Sequence, residues 1–237
     1  MINGKRILCV IPARGGSKGI KNKNLLKIGN ESLVAITSKF ALSCNIFDHI
    51  HLSTDSSDIQ KEGVSNLIEC SFLRPKYLSG DRVADIPVLI YCSKMIEKKF
   101  SINFDYIVMF QVTSPFRKKK DIIKSIKMMI NNKFDSLISI TSIDKKYHYL
   151  KQLEFKNHKI KFSNKNGNKV VARQQLNQTF IRNGVIYIFD KNKLYKRKEL
   201  ISNNSFGYEI KDQVVNIDTI EDLTLARNID KKLSKKK

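Results

Sequence analysis

The residues with most chemical potential gather in one run, Ala13-Arg14-Gly15-Gly16-Ser17-Lys18-Gly19, continued after a short gap by Lys23-Asn24-Leu25. Its glycines let backbone N–H groups come close to phosphate oxygens, while Arg14, Lys18 and Lys23 can neutralise their charge. The chemistry expected of such a loop is recognition of a phosphorylated anion. The spacing is not that of a Walker A loop, and Gly15-Gly16-x-x-Gly19 lacks a G-x-G opening, so a P-loop NTPase and a dinucleotide enzyme are both disfavoured. Elsewhere, Arg173 offers a planar fork for a carboxylate or phosphate. His49, His51, His148 and His158 show neither metal-ligand spacing nor a nucleophile pattern, and are expected to be ordinary surface or core residues.

The elements that must position this loop alternate along the chain. Short β-branched runs at 6–12, 50–53, 68–72, 106–110, 136–142, 185–189 and 214–217 read as strands, and stretches with helical apolar spacing lie between them. Val88, Leu89, Cys92, Met95 and Ile96 fall on one face of a helix whose first turn accommodates Pro87. Ile122, Ile123, Ile126, Met129 and Ile130 repeat that pattern, and Thr219-Ile220-Glu221-Asp222 opens a last helix with a capping-box pattern. Tyr106 to Phe110 is almost wholly apolar, as expected of a central strand covered on both faces. The fold expected is α/β: a doubly wound, mostly parallel, Rossmann-like sheet. Residues 1–237 read as a single domain, with an excursion at about 145–208 where the alternation breaks and Lys165-Asn166-Gly167-Asn168 marks a turn. In open α/β sheets ligands bind beyond the carboxyl ends of strands, so the loops starting at Ala13, Thr54, Gln111 and Asp218 form the expected site.

The composition narrows the class further. With 44 basic and 22 acidic residues in 237, the net charge of +22 attracts anions without choosing among them. The lysines are scattered, with short runs at Lys118-Lys119-Lys120 and Lys235-Lys236-Lys237, so no basic stripe with interleaved aromatics indicates a specific nucleic-acid partner. No apolar stretch is long enough for a membrane span, and the stretch after Lys5-Arg6 is too short for a signal segment, so a cytoplasmic protein is expected. Cys9, Cys44, Cys70 and Cys92 are widely spaced, which fits reduced buried thiols rather than a zinc site or disulfide framework.

Seven blocks along the chain together carry a resemblance. Pro12-Ala13-Arg14-Gly15-Gly16-Ser17-Lys18-Gly19 with Lys23-Asn24-Leu25 is followed by Ser53-Thr54-Asp55, Leu73-Arg74-Pro75 and Gln111-Val112-Thr113-Ser114-Pro115-Phe116-Arg117. Then come Arg173-Gln174-Gln175-Leu176, Asn183-Gly184-Val185-Ile186-Tyr187 and Ile217-Asp218-Thr219. In this order the sequence resembles the CMP-sialic acid synthetases, the cytidylyltransferases that activate nonulosonic acids, including legionaminic and pseudaminic acids. The resemblance implies that CTP and a nine-carbon sugar acid are the substrates, and that CMP passes to the anomeric hydroxyl with release of pyrophosphate. It implies catalytic roles for Arg14, Lys23 and Asp218. Nucleotide contacts would come from Ala13, Arg14, Gly15, Gly16, Ser17, Lys18, Asn24 and Arg74, and sugar contacts from Gln111, Arg173, Gln174, Asn183 and Tyr187. Gln111 has an amide able both to donate and to accept, and a core role competes for Tyr187. Mg²⁺ (or Mn²⁺) is the implied cofactor, with Asp218 as its best ligand, although a helix N-cap is a strong competing role for that carboxylate. Where the family shows paired aspartates, this chain has Asn216-Ile217-Asp218. Asn216 shares a side with Asp218 in an extended segment and offers one uncharged oxygen. The implied assembly is a homodimer whose excursion covers the sugar site. A cytidylyltransferase for the eight-carbon acid Kdo and a non-catalytic nucleotide-binding homologue are the alternatives.

Overall fold

The computed structural model describes residues 2–17 and 19–235. Strands β1 (Ile7–Pro12), β2 (Lys27–Ile28), β3 (Glu31–Ser32), β4 (His49–Ser53) and β5 (Tyr106–Met109) alternate with helices α1 (Leu33–Cys44), α2 (Ser57–Ser65) and α3 (Asp85–Phe100). Helix α4 (Lys119–Asn132) leads into β6 (Ser136–Ser142). The hairpin β7 (Leu153–Lys156) and β8 (Lys159–Phe162) precedes β9 (Phe180–Asp190), α5 (Lys191–Arg197), β10 (Ser205–Glu209) and α6 (Ile220–Ser234). Six strands form the main sheet in the order β10-β6-β9-β5-β1-β4. All neighbours are parallel except β9, which runs antiparallel between β5 and β6.

Side-chain alternation in β1 shows why the sheet is wound on both faces. Ile7, Cys9 and Ile11 pack with residues of α1, α4 and α6, while Leu8 and Val10 pack with residues of α3 and α5. β5 divides in the same way, with Val108 on the first side and Ile107 and Met109 on the second. The helix starts follow local chemistry. Ser32 accepts from Ala35 N, Ser56 from Ile59 N, and Thr219 closes a capping box with Asp222.

Two expected strands are not strands. The stretch 68–72 makes one bridge to the edge strand, His51 with Glu69, and Leu52 N donates to Glu69 O at 2.9 Å. The stretch 214–217 is an irregular connection held by Ile217 N donating to Thr113 O at 2.9 Å. Val215 and Ile217 are buried there without sheet pairing, so their alternation reports burial alone. Of the stretch 145–208, residues 145–179 lie outside the main sheet and β9 runs through its centre. The turn at 165–168 leads into a 3-10 turn over Gly167–Lys169. The hairpin itself turns at Asn157 and His158, both with left-handed backbone. Among the described residues no helix is long and apolar enough to cross a membrane.

Candidate active site

The carboxyl ends of β1 and β5 open into a cleft of about 510 Å³, while the loop after β4 lies behind its lining residues. Arg14, Lys23, Asn24, Arg74, Gln111, Asn216 and Asp218 all line it, together with Ser17. The sheet order places these loops side by side at one sheet end, as the strand-end rule requires.

The loop after β1 is held open by its own polar contacts. Ala13 N donates to Ser53 O at 2.9 Å, Gly15 N to Asp55 Oδ1 at 2.8 Å, and Asn24 Nδ2 to Arg14 O at 2.9 Å. Asn24 and Asp55 therefore shape the loop. Gly15 is required by proximity, since a Cβ there would sit 2.9 Å from Ser56 Cβ. Gly16 has open space around it, and Lys18 lies outside the described residues. Arg14 and Lys23 each meet a carboxylate across the cleft. Arg14 Nη1 is 2.9 Å from Asp81 Oδ1, and Lys23 Nζ is 2.8 Å from Asp218 Oδ1.

At the opposite wall Arg74 is buried, its Nε donating to Ser53 Oγ at 3.1 Å and its Nη2 to Ser53 O at 2.6 Å. Burial lowers its pKa, partly offset by Cys92, Asp55 and Asp85. Gln111 Nε2 donates to Asp85 Oδ2 at 3.5 Å. Gly184, in left-handed backbone, leaves no room for a side chain, because a Cβ would lie 2.6 Å from Gln111 Oε1. Behind this wall Arg117 is buried and donates to three carbonyls: Val185 O at 2.8 Å, Ser114 O and Gln111 O. Burial draws its pKa down to about 9, which leaves it charged at neutral pH.

Asp85 was absent from the sequence expectations, and so were Asp55, Asp81 and Arg117 as site residues. Burial raises the Asp85 carboxyl above the ordinary range, against the smaller opposing effect of the Gln111 hydrogen bond. A carboxyl raised in the folded state contributes stability that is complete below the unfolded value and lost as pH rises through the folded one. Asp85→Asn should therefore be more stable than the parent at about pH 7, and the gap should close below about pH 4. Urea midpoints at the two pH values check this; equal midpoints at neutral pH would dismiss burial as the cause.

Several expected sugar contacts are not gathered by this chain. Arg173 is exposed and pairs with Asp144 at 3.2 Å, and Gln174 lies in an exposed 3-10 turn. Tyr187 is buried in the core beside α3 and α5. Asn183 is also buried. It receives Ser139 Oγ and Val185 N on its Oδ1 and donates to Thr141 Oγ1, tying together the bulge between β6 and β9. These four residues do not line the cleft, because two belong to the interior of the sheet and two to the segment outside it.

The donor set at the cleft mouth fits a hard divalent cation. Asp218 is 62% exposed, with one oxygen on Lys23 and the other accepting from Asn216 Nδ2 at 3.1 Å. Asn216 Oδ1 is buried and has no partner. Turning this amide about Cβ–Cγ would place its oxygen beside the carboxylate. One carboxylate plus a neutral oxygen, completed by phosphates and water, is an ordinary Mg²⁺ environment. Thr219, not Asp218, caps the last helix, so the carboxylate is not engaged at the helix start.

A family model described as "Cytidylyltransferase" matches residues 8–235. The chain is 33% identical over 217 residues to the post-translational flagellin modification protein B of Campylobacter coli, covering 92% of this chain and 91% of that protein. It is 31% identical over 217 residues to the CMP-N,N'-diacetyllegionaminic acid synthase of Campylobacter jejuni, with the same coverage. Among solved structures, a CMP:2-keto-3-deoxy-manno-octonic acid synthetase complexed with CTP aligns at TM-score 0.71 over 94% of this chain and 98% of that one. Its 14% identity makes this a likeness of fold. Because the family match runs from the first strand of the sheet to the end of the last helix, and so spans every loop of the cleft, this chain belongs to the cytidylyltransferase family.

Proposed function

We propose that this chain transfers CMP from CTP to the anomeric hydroxyl of a nonulosonic acid and releases pyrophosphate. The observation that carries this reading is the meeting of Lys23 and Asp218, 195 residues apart, at the mouth of the loop that also bears Arg14. In nucleotidyl transfer the protein acts chiefly by positioning and by neutralising charge on the transferring and leaving oxygens. Arg14 and Lys23 bind the triphosphate, Arg74 stands at the nucleoside end, and Gln111 orients the acceptor. The hydroxyl oxygen bonds to the α-phosphorus as the bond to pyrophosphate breaks. The divalent metal that cytidylyltransferases use, here Mg²⁺ or Mn²⁺, would be held by Asp218 with Asn216 and would supply positive charge beside the phosphates.

The reading extends to a single cytidylyltransferase domain, acting in the cytoplasm as a homodimer. Leu153, Phe155, Ile160 and Phe162 form cross-strand pairs on one face of the β7–β8 hairpin, and Phe155 and Ile160 are 71% and 66% exposed. A lone two-stranded ribbon is marginal in water, so a second copy covering this face supplies the missing contacts. The same contact would carry Arg173 and Gln174 toward the partner's cleft. Light scattering at micromolar concentration should give twice the chain mass; a monomer would remove the dimer.

Pyrophosphate release from CTP and Mg²⁺ tests the reaction, with N-acetylneuraminic, legionaminic, pseudaminic and Kdo acids in parallel. Turnover confined to one nine-carbon acid supports the proposal and identifies the substrate. Turnover only with Kdo replaces the acceptor, and CTP binding without turnover makes the chain a nucleotide-binding homologue.

A further inference from the structure

The edge strand β4 carries a second cluster, separate from the cleft. Its Ile50 and Leu52 face the core built with α1, so His49 and His51 face the α3 layer, opposite Leu8 and Val10 of β1 in register. In β1 those positions are apolar; in β4 both are imidazoles. His51 is 0% exposed and neither ring nitrogen has a hydrogen-bond partner, while Phe72 stacks on the ring at 4.5 Å. Glu69 is brought alongside by the bridge between the 68–72 stretch and β4. His49 Nε2 lies 3.1 Å from Glu69 Oε2 without making a hydrogen bond. One nitrogen from each histidine and one oxygen of Glu69 lie within 4.8 Å of one another. The spacing expectation that treated these histidines as ordinary residues missed Glu69, which the chain fold supplies.

Burying an imidazole with both nitrogens unpaired is costly and calls for a partner. We propose that His49, His51 and Glu69 bind a divalent transition ion of the zinc class, with water in the fourth position. Two imidazoles and one carboxylate are a donor set that Zn²⁺ takes readily and Mg²⁺ does not. Water reaches the site from the side of His49 and Glu69, whose side chains are 17% and 30% exposed. The ion would clamp the 68–72 stretch to β4, two residues before Ser53, whose oxygens hold Arg74.

The test uses the full chain, stripped with chelator and kept in millimolar Mg²⁺ to saturate the cleft. Zn²⁺ is titrated calorimetrically, and Co²⁺ by visible absorption. The expected result is one equivalent of Zn²⁺, Co²⁺ bands without a thiolate charge-transfer band, and a melting temperature raised by Zn²⁺. His51→Phe, which keeps the stack on Phe72, should weaken binding at least about 100-fold. His49→Gln and Glu69→Gln, at partly exposed positions, should do the same and remain folded if His51→Phe does not. No bound equivalent, a thiolate band, or unchanged affinity in His49→Gln and Glu69→Gln would overturn the assignment.

Discussion

Replacing Asp218 with alanine is expected to slow pyrophosphate release by about 10³-fold, the loss typical of one charged group at a transferring phosphate. The same substitution should tighten CTP binding measured in EDTA by roughly threefold to tenfold, from the Coulomb energy of one charge near the surface. The two effects have opposite signs for a geometric reason. Asp218 Oδ1 occupies Lys23 Nζ at 2.8 Å, so the carboxylate that would hold the cation also competes with the phosphates for the lysine. Isotope-labelled CTP binding and turnover, measured on one preparation, separate the roles. A merely structural Asp218 would weaken both together. Lys23→Ala, by contrast, should lose affinity and turnover alike.

The second large effect falls on stability. Arg117→Ala should lower the unfolding free energy by about 4 kcal/mol, the order expected when three carbonyls lose their donor at about 1–3 kcal/mol for each one left buried. The guanidinium holds carbonyls from the 111–117 loop and from β9, and its charge lies 4.9 Å from the centre of the Phe110 ring. Arg117→Lys keeps the charge but lacks the planar fork, and should recover less than half of the loss. Urea unfolding of both variants decides it. A lysine variant as stable as the parent would show that charge, rather than the fork, secures the wall. Because Gln111 O is one of the three acceptors, surviving activity in Arg117→Lys should show a raised KM for the sugar acid.

Much of the cleft was legible in the sequence because its chemistry is local. The loop from Ala13 to Asn24 follows its strand directly, and the Thr219 cap announces the last helix. What the sequence concealed depends on packing across the chain. Val215 and Ile217 alternate like a strand because they are buried, yet their backbone meets one loop carbonyl instead of a ladder. Asn183 sits within a block whose resemblance implied a sugar contact, but its three side-chain hydrogen bonds are spent inside the sheet. Asp85 lies in the first turn of α3, a position that gives no sign of the cleft. Only the approach of α3 to Gln111 makes it a buried carboxyl at the cleft.

The antiparallel strand β9 has a consequence for how the chain is made. It fills the gap between β5 and β6, so a nascent chain that has emerged only as far as residue 179 leaves β5 unpaired on one edge and β6, whose other neighbour β10 also follows, unpaired on both. Such edges template pairing with other chains. Residue 190 must therefore emerge before the gap between β5 and β6 closes, and residue 209 before the outer edge of β6 is covered, and chaperone dependence or inclusion-body formation should be steepest for fragments ending just short of β9.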